Sequence, residues 1–178
     1  MFENPSTCDE AWNHDDPFQR EKWREAITKE LTKMEEKGVW RKIKRSDVDE
    51  GRRCVKHKWV LEIKRSGRFR ARLVACGYSQ IPGVDFTETY SPVINDITFR
   101  IALTMMVVYG WDSKIFDVET AFLHGELKEV IYMDCPHGFD HEEGECLLLE
   151  KSIYGLVQAS CRYGKKFSGV LANDLGFR

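Results

Sequence analysis

Apolar residues return with a helical period along the first long stretch of the chain. In "DPFQREKWREAITKELTKMEEKG", Trp23, Ile27, Leu31 and Met34 fall at spacings of four and three, which puts them on one face of a helix. Asp16 suits the cap of that helix, Pro17 its first turn and Gly38 its end. The stripe predicts a core or domain contact. The period then falls to two. "HKWVLEIKRSGRFRARLVACGY" reads as two strands, Trp59 to Ile63 and Arg68 to Ala75, around a Ser66-Gly67 turn. Arg70, Arg72 and Val74 share one face of the second strand, and Ala71, Leu73 and Ala75 share the other. The hairpin therefore has one apolar face and one row of guanidinium groups, with Lys64 and Arg65 near its tip.

The next segment, "IPGVDFTETYSPVIND", is a loop by its Pro82-Gly83 and Ser91-Pro92 turn signals. "NDITFRIALTMMVVYGW" predicts a buried helix, capped by Asn95 or Asp96 and closed near Gly110, with Ile97, Ile101, Met105 and Val108 along one side. A strand running to Asp117 is expected next, then a short helical turn carrying Ala121 and Phe122. Two further strands, "EVIYMDCP" and "ECLLLEKSIYG", lead into a closing helix over about 157–175. Helices and strands alternate without the βαβ rhythm of a parallel sheet, so the predicted fold class is α+β.

Apolar residues make up 42% of the 178 positions, enough for a packed core. No apolar run is long enough to span a bilayer. The opening residues lack the basic and apolar regions of a signal peptide, so a cytoplasmic location is expected, with virus-like particles or the nucleus as further compartments. Six cysteines without a C-x-x-C pair read as reduced packing residues. Cys135, His137, His141 and Cys146 form a possible zinc set, but their spacing matches no common site and an acidic surface loop is the preferred reading. The net charge of −2 conceals a division. Residues 41–72 hold 13 Lys or Arg against 4 Asp or Glu, whereas residues 115–150 hold 1 Lys against 10 acids. A basic segment of this kind can follow a phosphate backbone, and it can equally be a solvated face.

The stretch "KIFDVETAFLHG" places Asp117 at the end of an apolar run. Asp117 can simply cap the helical turn after it. It is also the residue type that phosphoryl transfer needs at a strand end, where a few fixed carboxylates hold Mg²⁺ against phosphate oxygens. The Val118 carbonyl offers a further oxygen. Phe122, one turn on, would then lie under the sugar of an incoming nucleotide and exclude a 2′-hydroxyl, while the small Ala121 lets the backbone approach.

These phrases, with "WREAITKEL", "DITFRIAL", "KSIYGLVQAS" and "LGF", occur in an order that resembles the reverse transcriptase domain of copia-type retrotransposon Pol polyproteins. The resemblance runs from about Trp23 to Phe177. It implies an RNA-directed DNA polymerase in fingers-and-palm architecture. Residues 17–38 would be an N-terminal amphipathic helix, 39–92 a fingers-like basic hairpin region and 93–178 a partial palm. Asp117 matches the first catalytic aspartate and, with Val118, the metal site. Phe122 matches the sugar gate beside Ala121. Lys64, Arg65, Arg70 and Arg72 match the fingers that meet triphosphate and template. Tyr154, Gly155 and Gln158 match a substrate-facing strand-to-helix turn. Mg²⁺ is the implied cofactor. RNA template, DNA primer, deoxynucleoside triphosphates and the rest of the polyprotein are the implied partners, with no membrane.

Two departures qualify that reading. The family's second acidic motif, Tyr-x-Asp-Asp, is missing, so the chain is expected to be truncated before it and inactive alone. "YMDC", Tyr132 to Cys135, is a different feature, and Asp134 is expected at the surface. Ser160-Cys161 replaces the usual Pro-Arg. The alternatives are a nucleic-acid-binding remnant and a non-functional fragment of a decayed element.

Overall fold

The computed structural model describes residues 4–177. The predicted amphipathic helix forms over Pro17–Glu36 (α2), after a short helix, Cys8–Trp12 (α1), that the sequence pattern did not signal. The Asp16 carboxylate accepts from the Phe18 N–H at 2.9 Å, and Pro17 opens the first turn, where its missing donor costs nothing. Trp23, Ile27, Leu31 and Met34 are all buried, so the stripe is core.

Strands β1 (Trp40–Lys44), β2 (Cys54–Val55), β3 (His57–Ile63) and β4 (Phe69–Ala75) come next. β3 and β4 make the expected hairpin, pairing antiparallel with Leu61 opposite Ala71 and Glu62 opposite Arg70. Gly67 turns it at φ 78°, in the left-handed region that a side chain disfavours. Ala71, Leu73 and Ala75 are buried, while Arg70, Arg72 and Val74 are half-buried on the opposite face, as period-two alternation requires. α2 packs on β4, and the Trp23 and Phe69 rings meet edge-on with centroids 4.8 Å apart.

Farther along lie α3 (Asp96–Tyr109), β5 (Glu126–Met133), β6 (Glu145–Lys151) and α4 (Ala159–Gly169). A second sheet has the order β1-β6-β5-β2, antiparallel except for the β2–β5 pair. Ile131, Met133, Leu147 and Leu149 bring its inner face into the same core as α2. The architecture is thus mixed α and β. The expected closing helix begins at Ala159 and passes into a π-helical turn over Val170–Asp174.

Two expectations are corrected. α3 forms, with Asn95 accepting from the Ile97 N–H and Gly110 closing it at φ 65°, but no residue of it is buried. Ile97, Ile101 and Val108 are 68%, 54% and 69% exposed. Its apolar residues specify a helix that wants cover, and no described element supplies a packing face. The strand expected before Asp117 is likewise absent: 111–118 has no regular structure, with Ile115 and Phe116 exposed. A strand exists only through a neighbour that takes its backbone hydrogen bonds, and none of the described strands pairs with this run. No helix among the described residues is long and apolar enough to cross a membrane.

Candidate functional site

A cleft of about 1040 Å³ opens between α2, the hairpin and the segment around Asp117. α2 contributes Lys22, Lys29, Glu30 and Lys33. The hairpin contributes Arg68, Phe69, Arg70 and Arg72. Residues 117–121 and Tyr154 complete the wall. Asp117, Val118, Ala121, Arg70, Arg72 and Tyr154, singled out separately in the sequence, therefore meet in one place.

The segment that follows Asp117 is held by the C-terminal end of α2. Lys33 Nζ is ion-paired with Glu119, and Lys37 Nζ lies 3.5 Å from His124 Nε2. Thr120 has φ 54°, the one positive value at a non-glycine among the described residues, and its hydroxyl donates to the Glu119 carbonyl at 2.7 Å. That left-handed residue, costing roughly 1 kcal/mol, reverses the chain into the 3₁₀ turn Ala121–His124.

Phe122 does not line the cleft. It is half-buried behind Ala121, edge-on to Tyr154 at 5.0 Å and to Tyr163 at 6.2 Å. Tyr154, with Phe18 and Phe69, supplies the aromatic lining of the cleft. Burial pushes its phenol above the ordinary tyrosine range, and the neighbouring Glu30 adds to the shift. Burial also raises the Glu30 carboxyl, while Lys33, the Leu73 amide, Arg70 and Arg72 pull it back in part.

Lys64 and Arg65 lie at the hairpin turn outside the cleft. Lys64 Nζ is 3.7 Å from Glu62, whose carboxylate is also 3.8 Å from Arg72 Nη2. Gly155, at φ 86°, lets the Tyr154–Gly155 turn press against the end of β4. A Cβ there would lie 2.1 Å from the Ala75 carbonyl oxygen, and the Ala75 N–H donates to the Tyr154 carbonyl at 2.8 Å. Gln158 is fully buried away from the cleft. Its Oε1 accepts from Gln80 Nε2 at 3.0 Å and its Nε2 donates to the Asp85 carbonyl at 2.9 Å. Gln80 in turn accepts from the Val157 N–H at 2.8 Å. Gln158 thus braces the turn from inside.

The zinc alternative does not assemble. His137 Nε2 is 3.0 Å from Asp9 and its Nδ1 is 3.5 Å from Cys8 Sγ, while His141 Nδ1 is 2.9 Å from the Phe139 carbonyl. No group of three or more His, Cys, Asp or Glu residues that could hold a metal ion occurs among the described residues. Burial pushes the Cys135 thiol up to about 11, the wrong direction for a thiolate ligand. Asp134, half-buried, is ion-paired with Arg45 at 2.6 Å and lies outside the cleft.

The sequence pattern missed the α2 wall. Lys22, Lys29 and Lys33 are spaced seven and four apart, one stripe round from the core positions, and that spacing was the available signal.

Comparison with known proteins gives the family. Residues 38–178 match the model of the family described as reverse transcriptase (RNA-dependent DNA polymerase). The chain is 33% identical over 177 residues to the retrovirus-related Pol polyprotein from transposon TNT 1-94 of Nicotiana tabacum, covering 96% of this chain and 13% of that protein. It is 47% identical over 95 residues to the Pol polyprotein from transposon RE2 of Arabidopsis thaliana, covering 52% of this chain and 6% of the relative. It is 26% identical over 172 residues to the truncated transposon Ty1-A Gag-Pol polyprotein of Saccharomyces cerevisiae, covering 94% and 14%. The chain thus spans a small part of the length of these relatives, and no solved structure matches it. With the family match running through every strand of both sheets, the chain belongs to the reverse transcriptase (RNA-dependent DNA polymerase) family, as carried by Pol polyproteins of copia-type retrotransposons.

Proposed function

We propose that this chain is the part of an RNA-directed DNA polymerase that carries the first metal-binding carboxylate and the nucleotide-facing cleft. In this reading residues 39–92 act as fingers and 93–178 as the start of the palm. The observation that supports it most is the convergence of Asp117, Arg70, Arg72 and Tyr154 on one cleft from three separate stretches of chain.

The donor set fits Mg²⁺. Asp117 and the Val118 carbonyl are hard oxygen donors, and Mg²⁺ is commonly held by one or two carboxylates with substrate phosphates completing the shell. When bound, the ions supply charge neutralisation on the transferring phosphoryl group. The protein's own part is positioning. Arg70 and Arg72 present guanidinium groups to the triphosphate oxygens, which they can grip in pairs. The Tyr154–Gly155 turn, braced by Gln158 and Gln80, closes the far side. Phe122 acts on the sugar from behind Ala121, through its contact with Tyr154.

Among the acids lining the cleft, Glu25 is paired with Lys22 and Glu119 with Lys33, and burial favours the protonated form of Glu30. Asp117 remains as the one carboxylate for metal. We therefore assign the second acidic site to a further segment of a longer polypeptide, and no polymerase activity to the 178-residue chain by itself. Primer extension on an RNA template tests both statements. The isolated chain gives no product, and a longer Pol polypeptide containing it does. Product from the isolated chain would overturn the incomplete-site assignment. A longer polypeptide that copies no RNA would overturn the function.

A further inference from the structure

Ser152 follows the last residue of β6 and is fully buried. Its N–H donates to the Gly125 carbonyl at 2.7 Å, one bond past the Glu126–Lys151 pair of the β5–β6 ladder. Its hydroxyl donates to the Phe122 carbonyl. One residue thus holds the 3₁₀ turn at both Phe122 and Gly125. The Phe122 carbonyl also accepts from the Gly125 N–H at 3.1 Å. That bond closes the turn, so the carbonyl is satisfied without the hydroxyl. What the hydroxyl fixes is where the turn stands against the end of β6. Gly125 makes the close approach possible. A Cβ there would lie 2.8 Å from Ser152 Oγ, 3.0 Å from Arg162 Cβ and 3.0 Å from the Tyr163 nitrogen. Its φ of −79° suits any residue, so space calls for glycine here and backbone conformation does not.

Tyr154, which lines the cleft, stands two residues after Ser152 on the same stretch. Its ring meets Phe122 edge-on at 5.0 Å. Ser152 therefore ties the backbone of one ring to the strand end that carries the other. Edge-on contacts depend on the separation and angle of the rings. We infer that Ser152 is a positioning residue for sugar selection: its bond to Phe122 sets the spacing of the Phe122–Tyr154 ring pair, and through that pair the choice between deoxyribose and ribose. The spacing stands on the contacts above; the sugar choice rests on the polymerase reading.

Incorporation of one matched deoxynucleotide, and of its ribonucleotide counterpart, by the longer Pol polypeptide on an RNA template tests the inference. The readout is the ratio of the two kcat/KM values. A serine that merely supports the fold slows both nucleotides together and leaves the ratio alone. Ser152→Ala is expected to lower the ratio about 3- to 10-fold, the scale of one neutral hydrogen bond. Ser152→Cys, which keeps a weak donor, recovers part of that loss. Phe122→Ala also lowers the ratio, and adding Ser152→Ala to it brings no further fall, because the serine acts through that ring. A wild-type ratio in Ser152→Ala beside a lowered one in Phe122→Ala overturns the inference and leaves the role of Phe122 standing. Wild-type ratios in both variants overturn the two together. The ring pair is tested apart from polymerase activity by the NOE between Phe122 and Tyr154 in the 178-residue chain. Ser152→Ala is expected to weaken that NOE while far-UV circular dichroism stays as in the wild type. An NOE of wild-type strength in the folded variant overturns the positioning, whatever the longer polypeptide does with RNA.

Discussion

Lys33 on α2 is ion-paired with Glu119, 86 positions further along the chain and two residues past Asp117. The pair ties the segment that carries the candidate metal ligand to the helix that forms the opposite wall of the cleft. Glu119 is highly exposed, so the contact orders a segment rather than stabilising the fold. Lys33→Ala is expected to leave the thermal midpoint unchanged while amide hydrogen exchange across 118–124 becomes faster. Lys33→Glu combined with Glu119→Lys restores the slow exchange. Equal exchange rates in the wild type and Lys33→Ala would remove the latch.

The close approach at Gly155 gives a sharper stability test. With φ 86° and a Cβ site 2.1 Å from the Ala75 carbonyl oxygen, Gly155→Ala has to separate the turn from β4. A loss of about 3 kcal/mol or more is expected, from steric clash added to left-handed strain. Gly144 has φ 85° with nothing within 4 Å of its Cβ site, so Gly144→Ala carries the strain alone, about 1–2 kcal/mol. Urea unfolding of the two variants measures the difference, and equal losses would contradict the packing described for the turn.

Glu30 makes stability depend on pH. Burial raises its folded-state pKa above the unfolded value, so the folded protein holds that proton more tightly. Its contribution is fully present below the unfolded pKa and is lost as pH rises through the higher folded one. Glu30→Gln keeps an oxygen acceptor and removes the titration. The variant is expected to be more stable than wild type at neutral pH, with a flatter stability profile on the alkaline side of pH 4.5, the ordinary glutamate value. Denaturant midpoints across the range check this, and a variant less stable at neutral pH would contradict it.

The uncovered α3 has its own consequence. Ile97, Ile101, Val107 and Val108 lie on a helix with no buried residue, and Ile115 and Phe116 further along the chain are exposed as well. Exposed apolar residues in this number drive association and bind apolar dyes when they share a patch. The 178-residue chain is expected to bind the dye ANS in its native state and to self-associate with concentration. Ile101→Glu with Val108→Glu is expected to lower both without shifting the thermal midpoint. A monodisperse chain that does not bind dye would show that this surface is covered in solution.

Local features of the fold were legible where local chemistry decides them. Asp16, Pro17 and the Trp23–Met34 stripe define α2, and Ser66-Gly67 with the alternation of Arg70 to Ala75 defines the hairpin. What failed depended on partners distant in the chain. Ile97 and Ile101 carry the pattern of a buried helix but nothing described covers them, and the run before Asp117 has strand-like residues without a strand to pair with. At the site, period-two alternation put Arg70 and Arg72 on one face, and they do reach the cleft. The resemblance put Gln158 in a substrate-facing turn, and its buried position was not legible because its partners, Gln80 and the Asp85 carbonyl, are more than 70 positions away. The α2 lysines were hidden because the core stripe explained the helix by itself.

In the proposed function the Asp117 carboxylate does the metal-binding work of nucleotide addition. Single-turnover incorporation of a deoxynucleotide on an RNA template, by a longer Pol polypeptide carrying Asp117→Asn, puts that role to the test. Asp112→Asn, five residues upstream, exposed and outside the cleft, serves as control. The expected result is a fall of about 10³-fold or more for Asp117→Asn, the scale of losing one preorganised group that stabilises transition-state charge, with Asp112→Asn at the wild-type rate. Wild-type incorporation by Asp117→Asn would contradict the polymerase role of this cleft at its root.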